Sequence, residues 1–196
     1  MTEKEKMLSG KPYLGFDEDL VKERLQSRKK VHEFNTAAYD DITTRTKIIV
    51  ELFGSAKKDF FIEPPFRCDY GSNIIIGENF YANFNCTMLD CATITIGDNV
   101  LIAPNVSLFT AGHPIHPQHR KAFEYAFPIV IGNDVWIGGG AIINPGVIIG
   151  DNTVIASGSV VTKDIPANVV AGGNPCKVIR EINQEDKIRY FKGHYL

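Results

Sequence analysis

The stretch Ile131–Ile165, which reads IGNDVWIGGGAIINPGVIIGDNTVIASGSVVTKDI, decides the fold of this chain. An aliphatic residue returns at every sixth position, giving Ile131, Ile137, Ile143, Ile149, Ile155 and Val161. A second series, four positions further on, is small or β-branched: Val135, Ala141, Val147, Thr153, Ser159 and Ile165. A period of six matches neither an amphipathic helix nor an alternating strand. It is typical of a solenoid whose stacked coils share one apolar column, because no single hexad can bury its own anchor.

The same spacing is present less regularly upstream, at Ile76, Ala82, Met88 and Ile94. It restarts two residues out of phase at Ile96, which predicts one irregular corner at residues 90–93. The rhythm then stops between Leu108 and Ile131. Because loops on a rigid scaffold commonly carry chemistry, the inserted loop 109–130 is predicted to be functional.

The segment before the repeats has a helical pattern instead. A short helix is predicted near residues 4–9, a longer one from Asp17, and a third that closes at Gly54. The chain is therefore predicted to be mainly β, a solenoid with an N-terminal helical segment. Its expected parts are a helical segment at 1–60, a β-helix at 61–175 that contains the inserted loop, and a C-terminal tail or short helix at 176–196.

Bulk composition excludes several functional classes. The formal net charge of −2 provides no general attraction to nucleic acid or anionic membranes. No apolar run approaches the roughly 20 residues that span a bilayer, and the charged start of the chain does not resemble a secretory signal. The four cysteines lack metal-binding spacing and are predicted to be reduced thiols in a cytoplasmic protein without a required metal: Cys68, Cys86, Cys91 and Cys176.

Several longer motifs resemble the hexapeptide-repeat acyltransferases: NVSLFTAGHP, VWIG, INPGVIIGDN and VVTKDIPANVVAGGNPCKVIR. Two others, EKEKMLSGKPY and YGSNIIIGENFYANFNC, are similar to the maltose and galactoside O-acetyltransferases in particular. This resemblance covers nearly the whole chain. It implies a left-handed parallel β-helix of triangular section, a homotrimer with active sites between subunits, acetyl-CoA as donor and a sugar hydroxyl as acceptor.

Acetyl transfer from a thioester to a hydroxyl needs a base for the hydroxyl proton and donors for the oxyanion. His113, in the insertion between Gly112 and Pro114, is the candidate base, since a neutral imidazole accepts protons near pH 7. Asn83 matches the asparagine that the family uses to stabilise the transition state, and its amide can donate to an oxyanion. Asn85 is interpreted as a corner residue that tolerates positive φ.

The candidate acceptor-binding residues come partly from this resemblance and partly from their place near the insertion: Asp17, Asp69, Tyr81, Asn83, Cys91, Glu124 and Tyr125. Asp69 falls where relatives often have serine, and Asp90-Cys91 falls where galactoside-acting relatives carry paired acids. Asp17 aligns with a sugar-contacting acid only if GFDED is not shifted by two positions. Glu124 is either a partner of His113 or a solvated surface acid.

The cofactor positions implied by the resemblance are Gly139, Ser157, Thr162, Lys163, Lys177 and Arg180. Small residues admit the pantetheine arm, whereas the cations and hydroxyl suit phosphate oxygens. Asn105 and Trp136 are expected to be structural, at a corner and against a neighbouring subunit or the cofactor groove.

Alternative functions follow from the same residues. His113, His116 and His119 are spaced three apart, which raises the possibility of a zinc hydratase, although prolines interrupt the run and such sites draw ligands from several coils. A non-catalytic solenoid scaffold is a second alternative. Within the acetyltransferases, the acceptor hydroxyl could belong to serine or to an antibiotic instead of a sugar.

Overall fold

The computed structural model describes residues 1–196, which begin with three helices. These helices are α1 (Glu3–Leu8), α2 (Glu18–Thr36) and α3 (Ile42–Leu52). Each starts at a polar N-cap whose side chain accepts a hydrogen bond from a backbone N–H of the first turn: Thr2, Asp17 and Asp41. The predicted N-terminal helices are confirmed.

The rest of the chain winds into coils of three short strands each. The first three coils comprise β1 (Ser55–Ala56), β2 (Phe61–Ile62) and β3 (Phe66–Cys68); β4 (Ile74–Ile76), β5 (Tyr81–Ala82) and β6 (Cys86–Leu89); and β7 (Ile94–Ile96), β8 (Leu101–Ile102) and β9 (Ser107–Phe109). The insertion contributes β10 (Ala111–Gly112), α4 (Pro117–Arg120) and β11 (Tyr125–Ala126). The later coils comprise β12 (Ile129–Ile131), β13 (Trp136–Ile137) and β14 (Ile142–Ile143), then β15 (Ile148–Ile149), β16 (Val154–Ile155) and β17 (Val160–Val161).

Equivalent strands pair in parallel to form three faces. Face 1 contains β1, β4, β7, β12 and β15, face 2 contains β2, β5, β8, β13 and β16, and face 3 contains β3, β6, β9, β14 and β17. All six aliphatic anchors from Ile131 to Val161 point inward and are no more than 1% exposed, and the second series from Val135 to Ile165 is buried as well. The predicted parallel β-helix is confirmed.

The coils differ in length in the way that the out-of-phase repeat predicts. Ile74 pairs with Ile94, a coil of 20 residues, whereas Val130 pairs with Ile148, a coil of 18 residues. The two extra residues lie in the corner at 90–93, between β6 and β7, so the predicted irregular corner is confirmed. Ile94 also pairs with Ile129, which restores the stack directly across the insertion.

The two ends of the solenoid are closed differently. The side chains Phe34, Ile49 and Phe53 join the same apolar core as Phe66 in the first coil, and this coil begins at Ser55, before the predicted boundary at residue 61.

At the other end, β18 (Val169–Gly172) continues face 2 and pairs antiparallel with β19 (Lys177–Glu181). The C-terminal tail has one 3-10 turn (Gln184–Lys187) and a hairpin, β20 (Arg189–Phe191) with β21 (His194–Tyr195), and no α-helix. None of the helices combines the length and apolarity needed to cross a bilayer.

Neighbouring isoleucines in β15 allow a direct test of the inward column. Ile149 is 1% exposed inside the coil, and Ile148 is 49% exposed on the outer surface. We expect Ile149→Ala to lower the free energy of unfolding by about 2–5 kcal/mol, because it leaves a cavity between stacked coils. Ile148→Ala, the matched control, should have a much smaller effect in the same denaturant titration. Equal losses for both variants would contradict the inward column as the source of stability.

Candidate active site

The insertion begins and ends with β10 and β11, which pair to form a short antiparallel ladder outside the solenoid. Ala111 pairs with Ala126 and Gly112 with Tyr125, so His113 follows directly after the last paired residue and is exposed. A Cβ on Gly112 would lie 2.7 Å from the Tyr125 hydroxyl oxygen, which places the Tyr125 side chain against the backbone next to His113. Glycine at 112 therefore permits a close approach that any larger residue would block.

The other two histidines of the insertion lie on its outer helical turn. His116 precedes α4, and its ring centroid is 5.6 Å from that of His119. No three histidine, cysteine or acidic side chains are grouped so as to hold a metal ion. His113 is thus an exposed imidazole that follows β10 in the two-stranded ladder of β10 and β11.

The N-terminal segment ties down the returning strand of the insertion. Tyr13 and Glu124 exchange two backbone hydrogen bonds of 3.0 Å, and the Tyr13 hydroxyl donates to Glu124 Oε2 at 3.0 Å. Burial is the main reason why the pKa of Tyr13 is raised, so its hydroxyl remains a donor. Glu124 is therefore oriented by Tyr13, and the structure gives its carboxylate no hydrogen bond to His113.

Asp69 and Cys91 meet at the corner between faces 3 and 1. The Cys91 thiol donates to Asp69 Oδ2 at 3.6 Å, and Arg28 Nη2 lies 4.0 Å from Asp69 Oδ1. Burial raises the pKa of Cys91 to about 12, so this thiol is neutral at physiological pH. The carboxylate of Asp69 is 19% exposed and can receive a ligand hydroxyl.

Asp90, next to Cys91, is a structural residue. Its fully buried carboxylate accepts backbone hydrogen bonds from Asp69 and Tyr70 at 3.0 and 2.8 Å, and from Asn73 at 3.3 Å. Burial raises its pKa to about 6, and these N–H donors oppose that rise. Asp90 therefore caps the turn at residues 69–73, and these hydrogen bonds tie it to the corner at residues 90–93.

Asn83 lies at a different corner, between faces 2 and 3. Its Oδ1 accepts from the Phe84 N–H at 2.8 Å, and its Nδ2 donates to no atom of the chain. Asn85 has φ of 61° and Asn105 has the same value, which confirms both as corner residues. An amide donor fixed by its own oxygen is suited to an oxyanion.

Tyr81 belongs to the outer surface of face 2. Its ring stacks on Phe61 with centroids 6.3 Å apart, and its partner in the next coil is Leu101. Asp17 caps α2, where its Oδ1 accepts from the N–H groups of Asp19 and Leu20 at 3.2 and 3.3 Å. Neither residue forms a hydrogen bond or salt bridge with the Asp69–Cys91 pair.

The predicted cofactor residues also divide between corners. Gly139 and Ser157 occupy the corner between faces 2 and 3 on successive coils, where Gly158 N–H donates to Gly139 O at 2.9 Å. Thr162 and Lys163 follow β17 at the corner between faces 3 and 1 and are exposed.

Two further cofactor candidates lie on β19. Lys177 is exposed there, and Arg180 forms two hydrogen bonds of 2.7 Å to Asp186. The pKa of Asp186 is lowered to about 2, chiefly by the hydrogen bond from Arg180. Arg180 must therefore exchange this partner to meet a phosphate.

The functional candidates thus form two groups on one subunit. Asn83, Gly139 and Ser157 lie at one edge of face 3, and Asp69, Cys91, His113 and Thr162-Lys163 lie at the other. Strand β6 alone, with four residues, separates these edges by about 13 Å. One chain therefore does not bring Asn83 to His113.

Sequence reasoning missed Tyr13 and the basic residues near Asp69. Tyr13 contacts Glu124 across 111 positions of the chain, and no local pattern signals such a pair. Arg28 and His32 are four residues apart on α2, a spacing that places both on one helix face and could have indicated a shared surface.

Comparison with known proteins matches this architecture. The family model for the maltose acetyltransferase hexapeptide capping motif matches residues 6–57, and that for the bacterial transferase hexapeptide with six repeats matches residues 128–163. Together they define a hexapeptide-repeat acetyltransferase with a helical cap.

Individual relatives are similar over nearly their full length. The galactoside O-acetyltransferase of Escherichia coli K12 is 53% identical over 97% of this chain and 94% of its own length. A solved galactoside acetyltransferase in complex with coenzyme A has a TM-score of 0.97 at 52% identity, covering 100% of this chain and 98% of the other. A solved maltose O-acetyltransferase from Clostridium difficile 630 has a TM-score of 0.92 at 56% identity, covering 94% of this chain and 99% of the other.

The chain therefore belongs to the maltose and galactoside O-acetyltransferase branch of the hexapeptide-repeat acyltransferases. It is an acetyltransferase that uses acetyl-CoA as co-substrate.

The buried corner carboxylate gives a testable consequence. We expect Asp90→Asn to lower the free energy of unfolding by about 1–3 kcal/mol, because an amide nitrogen would face the Asn73 N–H in place of an acceptor oxygen. Chemical denaturation measures this loss. Asp69→Asn, at the more exposed neighbouring carboxylate, is the control and should be nearly neutral for stability. A fully stable Asp90→Asn protein would show that the buried acceptor is dispensable.

Proposed function

We propose that this protein transfers an acetyl group from acetyl-CoA to a sugar hydroxyl, with His113 as the general base and the active site formed between subunits of a homotrimer. The observation that carries this proposal is the exposed His113 on a paired insertion that projects from one edge of face 3. Relatives named galactoside and maltose O-acetyltransferase indicate the acceptor class.

The chemistry is a direct transfer. The imidazole of His113 takes the proton of the sugar hydroxyl while that oxygen attacks the thioester carbonyl carbon. The tetrahedral intermediate then collapses, the C–S bond breaks, and the departing CoA thiolate receives the proton from the His113 imidazolium. No covalent acyl-enzyme is needed, and the imidazole returns to its neutral form at the end of each cycle.

Asn83 is assigned to the oxyanion. Its Nδ2 is unpaired within the chain, and its orientation is fixed through Oδ1, so the donor is available without reorganisation. Because Asn83 and His113 lie at opposite edges of face 3, the Asn83 that serves a given His113 comes from the neighbouring subunit.

The outer surface of face 2 supports the assembly. Its outward positions align in register as one apolar ladder: Phe61, Tyr81, Leu101, Trp136, Val154 and Val170. Leu101 and Trp136 are 50% and 52% exposed on the single chain. Contiguous apolar surface with aromatic residues is typical of subunit interfaces.

The cofactor groove is assigned to the edges of face 3. Gly139 and Ser157 on one subunit and Thr162-Lys163 on its neighbour would flank the pantetheine arm, with Lys177 and Arg180 near the phosphates. The acceptor is assigned to the earlier coils, at the corner that carries Asp69 and Cys91 and where the insertion brings Glu124 and Tyr125. Asp17 lies on the N-terminal segment that pairs with the insertion.

Removal of the base should abolish most of the turnover. We expect His113→Ala to reduce kcat by ~10²-fold or more, because proton removal from the acceptor hydroxyl loses its catalyst. The measurement is thiol release from acetyl-CoA with glucose, maltose, a galactoside, serine and chloramphenicol as acceptors.

His116→Ala, on the same insertion, is the matched control and should retain wild-type turnover. Near-wild-type activity of His113→Ala would refute the assignment of the base. Thiol release with serine or chloramphenicol alone would refute the sugar acceptor, and release with none of these acceptors would leave the reaction itself unsupported.

The interface can be tested separately. We expect Trp136→Glu to shift the protein from trimer to smaller species in sedimentation velocity, because a carboxylate would be buried against the apolar ladder. Val130→Glu places the same charge on the outer surface of face 1 and should leave the trimer intact. A trimer that persists in Trp136→Glu would exclude face 2 as the interface.

A further inference from the structure

A cleft of about 580 Å³ lies between α2 and the outer surface of face 3. Arg67, Thr87 and Leu89 on β3 and β6 form its floor, and Arg28 and His32 form its helical wall. The volume lies within the roughly 300–1,000 Å³ of small-molecule sites. The size therefore suits a sugar together with a substituent.

The wall of this cleft is fixed in place. The Asn35 side chain donates from Nδ2 to the Phe66 carbonyl at 2.8 Å, and its Oδ1 accepts from the Phe66 N–H at 2.8 Å. This double hydrogen bond ties α2 to β3, and the Ser27 hydroxyl, about two helical turns earlier on α2, lies 3.6 Å from the Cys68 sulfur. The distance between helix and face is thus set before any ligand arrives.

The cleft has an excess of basic groups. Two arginines and one histidine line it, against a single acid, Asp69. Arg28 lies 4.0 Å from Asp69, whereas Arg67 forms no salt bridge and no side-chain hydrogen bond within the chain. An arginine fork matches the paired oxygens of a carboxylate or a phosphate. The cleft is therefore complementary to an anionic group.

The position of the cleft links it to the acceptor and separates it from the cofactor phosphates. Asp69 lines one end and also accepts from Cys91 at the corner where acceptor residues are assigned. Thr87 and Leu89 belong to β6, which runs across face 3 from the edge that carries Asn83 to the edge that carries His113. Lys163 follows β17, which is three strands from β6 on face 3, so β17 lies about 14 Å from the cleft floor on β6.

We propose that this cleft binds an anionic substituent of the acceptor, a carboxylate or a phosphate, with Arg67 and Arg28 as the residues that determine this specificity. The inference rests on the proposed sugar O-acetyltransferase function and narrows its acceptor to acidic sugars. Asp69 then receives a sugar hydroxyl at the end of the cleft while the arginines hold the charged group.

The test uses matched acceptors whose ring hydroxyls remain free. Methyl α-glucoside is compared with α-glucose 1-phosphate, and phenyl β-glucoside with 4-carboxyphenyl β-glucoside, by thiol release from acetyl-CoA with the native oligomer. We expect kcat/KM for at least one anionic acceptor to exceed that of its neutral partner by about tenfold or more, as one charge-assisted contact allows. The pair that shows the preference distinguishes phosphate from carboxylate.

Variants then assign the preference to the cleft. Arg67→Gln and, separately, Arg28→Gln should reduce the preference about tenfold, with kcat/KM for the neutral acceptors and KM for acetyl-CoA unchanged. Lys29→Gln, on α2 but outside the cleft, is the matched control and should keep the wild-type preference. A variant that weakens neutral and anionic acceptors equally would overturn the assignment of the arginines.

Failure of this inference and failure of the proposed function give different results. Acetylation of the neutral glucosides with no preference for the anionic ones would overturn the anionic subsite alone. Absence of acetylation for all four of these acceptors and for glucose, maltose and the galactoside would overturn the proposed function as well.

Discussion

Burial of the inward aliphatic column is the constraint on which the rest of this structure depends. Each strand of a coil contributes at least one inward aliphatic or small residue, and the stacked coils bury these residues in one shared core. The backbone groups of each coil bond to the next coil in parallel register, so a shift in one coil would displace its side chains from the column. The pairing of Ile94 with Ile129 shows that an insertion is tolerated when the column resumes directly after it.

This rigid stack also decides where reactive groups can lie. Inward positions are filled by apolar or small side chains, so charged and reactive groups lie at the corners, on the outer faces and on the insertion. The corner between faces 2 and 3 repeats on every coil, and so does the corner between faces 3 and 1. Groups at these two edges cannot approach each other across face 3 within one chain, which is why the proposed site requires a neighbouring subunit.

The N-terminal segment has two structural roles. Its helices cover the first coil, where Phe34 and Ile49 extend the apolar core toward Phe66. The segment before α2 pairs with the insertion through Tyr13 and Glu124, and α2 forms one wall of the basic cleft over β3. A capping segment that covers one end of the solenoid thus also shapes the cleft that is proposed to bind the acceptor.

The sequence by itself determined the coil, its irregular corner at residues 90–93, the insertion and His113 as the candidate base within it. These features are local, because a period of six residues and its interruption are visible without knowledge of any distant contact. Only the tertiary structure decided that Glu124 is held by Tyr13, that Asp90 is a buried turn cap beside the Asp69–Cys91 pair, and that Arg67 and Arg28 line one cleft. Those arrangements depend on how segments far apart in the chain approach one another, and hydrophobic periodicity does not encode such approaches.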